Sequence, residues 1–306
     1  MDFLKLLEGL RSSVLDTFFS TITHLGEETV FIVLGILFFW CINKKEGYYL
    51  LSVGLIGTVI NQFLKLLFRI PRPWVKDPNF TIVESARAEA TGYSFPSGHT
   101  QSAVGIFAGI ARWHKGIIVR IIGISVCVLV PLSRLYLGVH TPLDVGVSII
   151  IALSLVFGFY PIIKNCAENP NGMRILMAVM TVFSIIYLLF VNLYKFPADI
   201  DPHNFESGLK NGYKMLGCIV GLWLSFEVDK RFTKFETSAK WYIQILKFVL
   251  GLIPVLLIKI FLKTPCYTLC SGSFSGDGIR YFLITAFAGC LWPMTFKFFN
   301  KIGKNS

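Results

Sequence analysis

The sequence predicts an all-α polytopic membrane protein, a helical bundle with about nine transmembrane helices. Three observations support this fold class: 54% of the 306 residues are apolar, only 15% are charged, and the mean hydropathy is +0.64. A soluble domain carries roughly 25% charged residues. The composition therefore excludes a water-soluble globule, a disordered chain and a fibrous repeat.

The first element is an amphipathic helix at residues 1–25, which we expect to lie in the membrane interface. Apolar residues recur on one face at helical spacing: Phe3, Leu7, Leu10, Val14, Leu15, Phe18 and Ile22. Lys5, Glu8 and Arg11 lie between them. This alternation is typical of an interfacial helix, and the early charges do not fit a cleavable signal peptide.

Nine mostly apolar runs follow, each close to the ~20 residues that cross a bilayer. They lie near 28–43, 46–68, 97–114, 117–136, 141–164, 173–194, 208–227, 241–262 and 278–298. No linker or low-complexity stretch divides them. We therefore expect a single integral, multi-pass membrane domain.

The basic residues indicate which side of the membrane is cytoplasmic. The formal net charge is +11, and fourteen Lys and Arg residues lie in short connections on one side, with only five acids. The longer connections, near 69–96, 195–207 and 263–277, carry seven acids. The positive-inside rule makes the basic side, with the C-terminus, cytoplasmic. Because the basic residues are spread over several short segments, no nucleic-acid partner is expected.

Three polar clusters interrupt the apolar runs, where a charge costs roughly 2.5–3.5 kcal/mol at a span centre. Their members are Lys65 and Arg72; Ser97, Gly98 and His99; and Arg134, His140 and Asp144. They lie at the end of the second run, the start of the third, and between the fourth and fifth. In an up-and-down helix order these ends share one side, so we expect the clusters to meet at the extracytoplasmic face.

The residue types in these clusters suit a tetrahedral anion. Lys65, Arg72 and Arg134 supply three cations, and the arginine fork matches two oxygens of one phosphate. Ser97 and Gly98 begin a helix, whose free N–H groups and positive dipole end favour an anion. The sequence therefore predicts that these five residues form a phosphate site.

Two histidines and an acid add chemistry to the phosphate site. Asp144 can accept a hydrogen bond from one nitrogen of His140, four residues earlier, which leaves the other nitrogen to attack phosphorus. His99 can protonate the leaving oxygen. Thr141 and Pro142 fit a helix N-cap and the first helical position. This scheme requires no metal and no cofactor, and the histidines lack zinc-ligand spacing.

The three clusters together resemble the signature of the type 2 phosphatidic acid phosphatase superfamily. Its parts here are Lys65 with six residues before Arg72-Pro73, then Pro96-Ser97-Gly98-His99, then Arg134 with five residues before His140 and three more before Asp144. The resemblance implies a metal-independent helical phosphatase with a phosphohistidine intermediate. It also implies that His140, His99 and Asp144 are catalytic and that the site faces the outer side of the membrane.

We accordingly expect an interfacial helix at 1–25, a catalytic core at 26–164, and additional transmembrane helices of the same domain at 165–306. The expected substrate is a lipid phosphate or polyprenyl diphosphate, because its tails can enter between helices while its phosphate reaches the cations. Two alternatives stay open. One is hydrolysis of a soluble ester, as in the glucose-6-phosphatases of the same superfamily, and the other is a non-catalytic phosphate or lipid binder or transporter.

The last three apolar runs carry no recognisable chemical cluster. Cys266 and Cys270 occupy the last predicted outer loop. They could form a disulfide on an oxidising face, but we favour free thiols, because a bridge across a helical segment of this length would constrain little.

Overall fold

The chain is helical throughout its described part. The computed structural model describes residues 1–302, with the side chains of residues 1–299, and has no strand in that range. The α-helices are α1 (Asp2–Gly9), α2 (Ser13–Thr23), α3 (Glu28–Leu37), α4 (Lys44–Phe68), α5 (Pro73–Lys76), α6 (Gly98–Trp113), α7 (Ile117–Tyr136), α8 (Pro142–Lys164), α9 (Pro170–Leu193), α10 (Pro202–Val228), α11 (Trp241–Phe261), α12 (Lys263–Leu269), α13 (Ser275–Ala286), α14 (Trp292–Met294) and α15 (Phe296–Ile302). The predicted all-α fold class is confirmed.

Six segments of the described chain are long and apolar enough to cross a membrane. They are Lys44–Lys76, Ile117–Tyr136, Pro142–Lys164, Pro170–Leu193, Trp241–Phe261 and Ser275–Phe299. A seventh candidate is the bent pair Ser13–Gly26 and Glu28–Ile42, which changes direction by 51°. These segments support a multi-pass membrane protein.

The count of nine spans is not confirmed, although each predicted run contains helix. Helix α6 has 16 residues, fewer than the ~20 that a bilayer requires. Helix α10 has 27 residues, but polar residues such as Lys210, Lys214 and Glu227 dilute its apolar stretch. Helix α6 is therefore too short, and α10 too polar, to be counted as a span.

The N-terminal segment folds as two helices rather than one. The chain breaks before Ser12, whose hydroxyl caps α2 by accepting a 3.4 Å hydrogen bond from the Leu15 amide; serine favours this cap position. Leu4 of α1 is buried beside Phe80, whereas Val14 is 76% exposed. The single helix expected at 1–25 is thus replaced by two, and its interfacial location stays a prediction.

The chain divides into two compact units. The first comprises Met1–Ile32, Ile56–Tyr160 and Tyr194–Gly208, and contains all eight predicted site residues. Helices α6 and α7 pack closely in its core, because a Cβ at Gly123 would lie 2.8 Å from the Phe107 carbonyl oxygen. This close packing fixes the two helices that carry several of the site residues.

The second unit comprises Val33–Leu55, Pro161–Leu193 and the chain from Leu209 onward. Trp40 is fully buried there, and its indole nitrogen donates a 2.8 Å hydrogen bond to the Ala288 carbonyl. Lys44 and Asp229 form an ion pair at 2.8 Å. Burial of a charge is tolerated when it is paired in this way.

Two remaining expectations concern the C-terminal part. Cys266 and Cys270 are both free. They lie on consecutive turns, and the Cys270 amide donates to the Cys266 carbonyl at 3.2 Å. The predicted cytoplasmic C-terminus, with Lys304, lies outside the described residues.

Candidate active site

Helix ends position most of the predicted site residues. Lys65 lies in the last turn of α4, Arg72 at the N-cap of α5, Ser97 at the N-cap of α6, Arg134 in the last turn of α7 and Asp144 in the first turn of α8. His140 lies in the short connection between α7 and α8. These six residues are buried, whereas Gly98 and His99 are half-buried.

Arg72 is held by the backbone on one side and contacts the histidine of the third cluster on the other. Its guanidinium donates to the carbonyls of Gly92 (3.1 Å), Thr91 (2.7 Å) and Val139 (2.9 Å). Its Nη1 also lies 2.8 Å from Nε2 of His140. Because the guanidinium is a permanent donor, Nε2 accepts this bond and the imidazole proton belongs on Nδ1.

Asp144 organises the start of α8. Its Oδ2 accepts hydrogen bonds from the Ser94 hydroxyl at 2.6 Å and from the Thr141 amide at 2.7 Å. The Thr141 hydroxyl in turn accepts from the Asp144 amide at 3.3 Å. This reciprocal pairing is a capping box, which confirms Thr141 as the N-cap.

The same carboxylate is an acidic neighbour of the buried imidazole. Nδ1 of His140 lies 3.5 Å from Oδ2 of Asp144, beyond the ~2.7–3.2 Å range of an N–H···O hydrogen bond. The two groups are therefore neighbours, but the predicted hydrogen bond between them is not formed. The second nitrogen, expected to be free, instead contacts Arg72.

Ser97 begins α6 as predicted. Its hydroxyl accepts from the Thr100 amide at 3.4 Å, and its own amide donates to the Asp144 carbonyl at 3.2 Å. The adjacent Gly98 is open on its Cα side, since an added Cβ would meet only Asn61 Oδ1, at 3.8 Å. The start of this helix thus offers backbone N–H groups beside accessible space, as an anion site requires.

Arg134 is completely buried. Its Nη1 donates a 2.7 Å hydrogen bond to the Thr23 hydroxyl. Its Nε and Nη2 have no hydrogen-bond partner among the described residues. A buried guanidinium with two unused donors can bind an oxyanion without giving up an existing bond.

Lys65 approaches the same region from α4. Its ammonium donates to the Tyr93 carbonyl, one residue before Ser94, which bonds Asp144. The connection that carries Tyr93 also supplies the carbonyls that hold Arg72. Lys65 and Arg72 are therefore both fixed by the segment immediately preceding the second cluster.

His99 has an acidic neighbour that no motif position indicates. Oε2 of Glu89 lies 3.4 Å from Nε2 of His99. The imidazole of His99 lowers the pKa of Glu89, while partial burial opposes this effect. The carboxylate therefore stays ionised and favours the protonated form of His99. Burial and then the charge of Arg134 outweigh this effect and lower the pKa of His99 to about 4.

Glu89 also belongs to a group with the spacing of metal ligands. Its Oε1 lies 3.3 Å from Nδ1 of His24, which also contacts Glu27. The three ligand atoms lie within 4.8 Å of one another. These side-chain contacts account for the cluster, so we assign no metal to it.

The electrostatics of the cluster keep His140 neutral. Burial, followed by repulsion from Arg72, Arg134 and Lys65, lowers the pKa of His140 well below its ordinary value of 6.5. A neutral imidazole is the nucleophilic form. Three cations around a neutral imidazole form a site that favours a multiply charged anion.

Family models match most of the chain. The model described as PAP2 superfamily matches residues 45–168, which include every predicted site residue. A second model, described as PAP2 superfamily phosphatase, transmembrane extension, matches residues 213–304. The second match covers nearly all of the last three predicted spans, which carry no recognisable chemical cluster.

Several curated proteins are similar to this chain. Undecaprenyl-diphosphatase BcrC of Bacillus subtilis is 34% identical over 164 residues, which cover 51% of this chain and 80% of the relative. Phosphatidylglycerophosphatase B of the same organism is 29% identical over 179 residues, covering 52% and 82%. A probable sphingosine-1-phosphate phosphatase of Dictyostelium discoideum is 28% identical over 238 residues, covering 71% and 56%. No solved structure gives a significant match.

The length of the matches differs among these relatives. The chain spans about half of the Dictyostelium protein, 56% of its length, but most of the bacterial undecaprenyl-diphosphatase, 80% of its length. Each of the three is named as a phosphatase. The two family-model matches and the 34% identity to the bacterial enzyme show that this chain belongs to the PAP2 superfamily.

Proposed function

We propose that the protein is an integral membrane phosphatase that hydrolyses a lipid phosphate or a polyprenyl diphosphate at the extracytoplasmic face, through a phosphohistidine intermediate. One observation carries this proposal: Arg72 Nη1 lies 2.8 Å from Nε2 of a buried histidine, His140. A group that binds phosphate and a nitrogen that attacks phosphorus are thereby adjacent. Arg134 and the start of α6 supply the remaining contacts to the phosphate oxygens.

In the first step, Nε2 of His140 attacks phosphorus and forms a P–N bond while the P–O bond to the leaving group breaks. Arg72 transfers its hydrogen bond from Nε2 to a phosphate oxygen as the substrate binds. The negative charge of the bound phosphate, together with Glu89, favours the protonated form of His99. This imidazole gives its proton to the departing oxygen, so that the leaving group departs neutral at that atom. Negative charge on the equatorial oxygens is stabilised by Lys65, Arg72 and Arg134.

In the second step, water attacks the phosphohistidine. The now neutral His99 accepts a proton from this water, the P–N bond breaks, and inorganic phosphate is released. His140 regains its neutral form with the proton on Nδ1, beside Asp144. The charges of the site come from side chains throughout, so the mechanism predicts activity in the presence of a chelator.

The surroundings of the site favour a lipid substrate over a soluble ester. Exposed apolar side chains flank the polar residues in sequence: Phe68 is 53% exposed, Val75 61% and Leu143 62%. Phe68 follows Lys65 by three residues, Val75 follows Arg72 by three, and Leu143 directly precedes Asp144. A lipid tail can contact these side chains while its phosphate reaches the cations, and the named relatives act on sphingosine 1-phosphate or undecaprenyl diphosphate.

The distribution of charge supports an extracytoplasmic site. Helix α6 begins at the site and ends beside Arg112, and α7 begins near Lys115 and Arg120 and ends at the site. The basic residues therefore mark the end of these helices opposite the site, and basic ends lie in the cytoplasm. We propose on the same ground that the nine predicted runs place the C-terminus in the cytoplasm.

The test is a substrate panel with the purified full-length protein. Phosphate release is measured with sphingosine 1-phosphate, phosphatidic acid, a polyprenyl diphosphate and glucose 6-phosphate, with and without EDTA. We expect turnover of at least one lipid, unchanged in EDTA, and its loss in His140→Ala but not in the matched variant His203→Ala. Turnover of glucose 6-phosphate alone would indicate a soluble ester as substrate, and binding of lipid phosphate without release would indicate a non-catalytic binder.

The intermediate is tested separately with a substrate labelled with ³²P. Rapid acid-free quenching during turnover should leave label on the wild-type protein and none on His140→Ala. A labelled His140→Ala protein would reject His140 as the nucleophile, even if the substrate assignment were correct.

A further inference from the structure

A groove runs along three helices of the first unit, away from the candidate active site. It has a volume of about 360 Å³. Its lining is mostly apolar and comes from α6, α7 and α8: Val104, Ala108, Ala111, Arg112, Arg120, Ile124, Cys127, Ile149, Leu153 and Phe157. Small side chains on α6 leave an open space, and bulkier side chains on α7 and α8 form its walls.

The groove lies toward the opposite end of these helices from the catalytic residues. Helix α6 begins beside Ser97, and Arg112 lies in its last turn, ~20 Å away at 1.5 Å per residue. Helices α7 and α8 are candidate membrane spans, and their lining residues Ile124 and Phe157 are 60% and 58% exposed. The groove is therefore open at the surface that faces lipid.

Two arginines mark one end of the groove. The guanidinium of Arg112 lies 4.0 Å from the ring centre of Tyr160 and 5.9 Å from that of Phe157. Nε of Arg120 donates a 3.1 Å hydrogen bond to the His114 carbonyl. Ring contacts and this single bond orient both guanidinium groups and leave other N–H donors available.

No acid neutralises these arginines. The sequence has no Asp or Glu between Glu89 and Asp144, so α6, α7 and their connection carry only basic charges. Neither Arg112 nor Arg120 forms an ion pair with any described residue. Lys115, in the connection between the two helices, adds to the positive charge.

We propose that this groove binds an anionic phospholipid, with one acyl chain along the apolar lining and the phosphate on Arg112 and Arg120. An apolar groove open to lipid can hold an acyl chain, and two oriented guanidinium groups can bind a phosphodiester. A basic residue near the membrane surface contributes about 1 kcal/mol to attraction of anionic lipid. Zwitterionic lipids carry a compensating cation and gain less from this site.

The bound lipid would join three helices that carry catalytic residues at their other ends. Ser97 caps α6, Arg134 ends α7 and Asp144 begins α8. A ligand that binds the folded protein stabilises it by mass action. We therefore expect the anionic lipid to raise the thermal unfolding temperature of the whole protein.

The experiment uses the purified full-length protein in neutral detergent, titrated with dioleoyl phosphatidylglycerol or dioleoyl phosphatidylcholine. Binding is counted by native mass spectrometry, and stability is followed by thermal unfolding. We expect tighter binding of phosphatidylglycerol, weakened ~10- to 30-fold in the double variant Arg112→Gln/Arg120→Gln, as two basic contacts of this size imply. Lys234→Gln, which removes an exposed cation of the second unit, should bind like the wild type.

A second variant tests the acyl-chain part of the site. Ala108→Leu fills the groove and keeps both arginines, so it should also weaken binding. A photoreactive phosphatidylglycerol, with a diazirine in one acyl chain, should cross-link to peptides containing residues 104–127 or 149–157. These readouts do not involve phosphatase activity, so they stand or fall independently of the proposed function.

Three results would overturn the inference. The first is equal binding of the two lipids, and the second is binding that is unchanged in both groove variants. The third is cross-linking spread evenly over the lipid-facing helices or confined to the catalytic residues.

Discussion

The hydroxyl of Thr23 accepts a 2.7 Å hydrogen bond from the guanidinium of Arg134, a residue 111 positions later in the chain. Both side chains are buried, with exposed fractions of 2% and 0%. The contact joins the N-terminal helix α2 to a cation that we propose binds the substrate phosphate. Thr23 is thus a positioning residue, because it touches the arginine and leaves two of its nitrogens for the anion.

Thr23→Val keeps the shape of the side chain and removes the hydrogen-bond acceptor. We expect kcat/KM to fall about tenfold, mainly through KM, since a hydrogen bond to a charged group contributes roughly 1.5–3 kcal/mol and 1.4 kcal/mol is tenfold. Thr23→Ser should restore activity. Thr21→Val, which removes a hydroxyl that bonds only its own helix, is the control, and identical kinetics for the two valine variants would show that Thr23 does not position Arg134.

Local signals in the sequence predicted the helix starts that build the site. Ser97 before Gly98 and Thr141 before Pro142 are cap patterns, and both residues cap helices in the structure. Such signals depend on atoms within three or four residues of each other. The apolar runs likewise predicted where the long helices occur, because the hydrophobic pattern of a helix can be read from the sequence of the run itself.

Contacts between distant segments were not predictable from local pattern. Glu89 and Thr23 lie outside every motif, and only the fold places them beside His99 and Arg134. Nε2 of His140, which we expected to be free, contacts Arg72 in the structure. These three contacts depend on how helix ends are arranged in space, which spacing along the chain does not encode.

Gly98→Ala tests whether the start of α6 binds the phosphate. The added Cβ would meet only Asn61 Oδ1 within the protein, at the ordinary contact distance of 3.8 Å, and alanine is favourable in a helix. We therefore expect an unchanged unfolding temperature but a fall in kcat/KM of at least tenfold, with weaker inhibition by vanadate, because the methyl group occupies space needed by the anion.

The control for Gly98→Ala is Gly146→Ala, at a helical position where an added Cβ meets nothing within 4 Å. Both variants should fold alike. Wild-type vanadate inhibition in Gly98→Ala would place the phosphate elsewhere.

Glu89→Gln tests the pairing with His99. The carboxylate lies 3.4 Å from the imidazole and favours its protonated form. The variant should lower kcat about tenfold or more for a lipid phosphate, whose alkoxide leaving group needs a proton. General acid catalysis commonly contributes 10²–10⁴-fold.

The leaving group distinguishes this role from a merely structural one. An aryl phosphate with an acidic phenol releases its leaving group without protonation. For this substrate, Glu89→Gln should lower kcat much less than it does for a lipid phosphate. Glu84→Gln, which removes an exposed carboxylate paired with Arg87, should have little effect on either substrate. Equal losses on both substrates would contradict the assignment of Glu89 and His99 to proton transfer.

The pH profile tests the neutral state of His140. Burial and then the charges of Arg72, Arg134 and Lys65 lower the pKa of this imidazole below 6.5, and only the unprotonated form attacks phosphorus. As pH falls, kcat/KM should therefore stay high through 6.5 and decline only at lower pH. Arg72→Gln removes one repelling charge, so the pKa of His140 rises and the acidic decline of kcat/KM moves to higher pH. The maximum value of kcat/KM also falls, because a phosphate contact is lost.

The control is Arg87→Gln, which removes an exposed cation outside the cluster and should leave the pH of this decline unchanged. A decline at the same pH in wild type and Arg72→Gln would show that Arg72 does not hold His140 neutral.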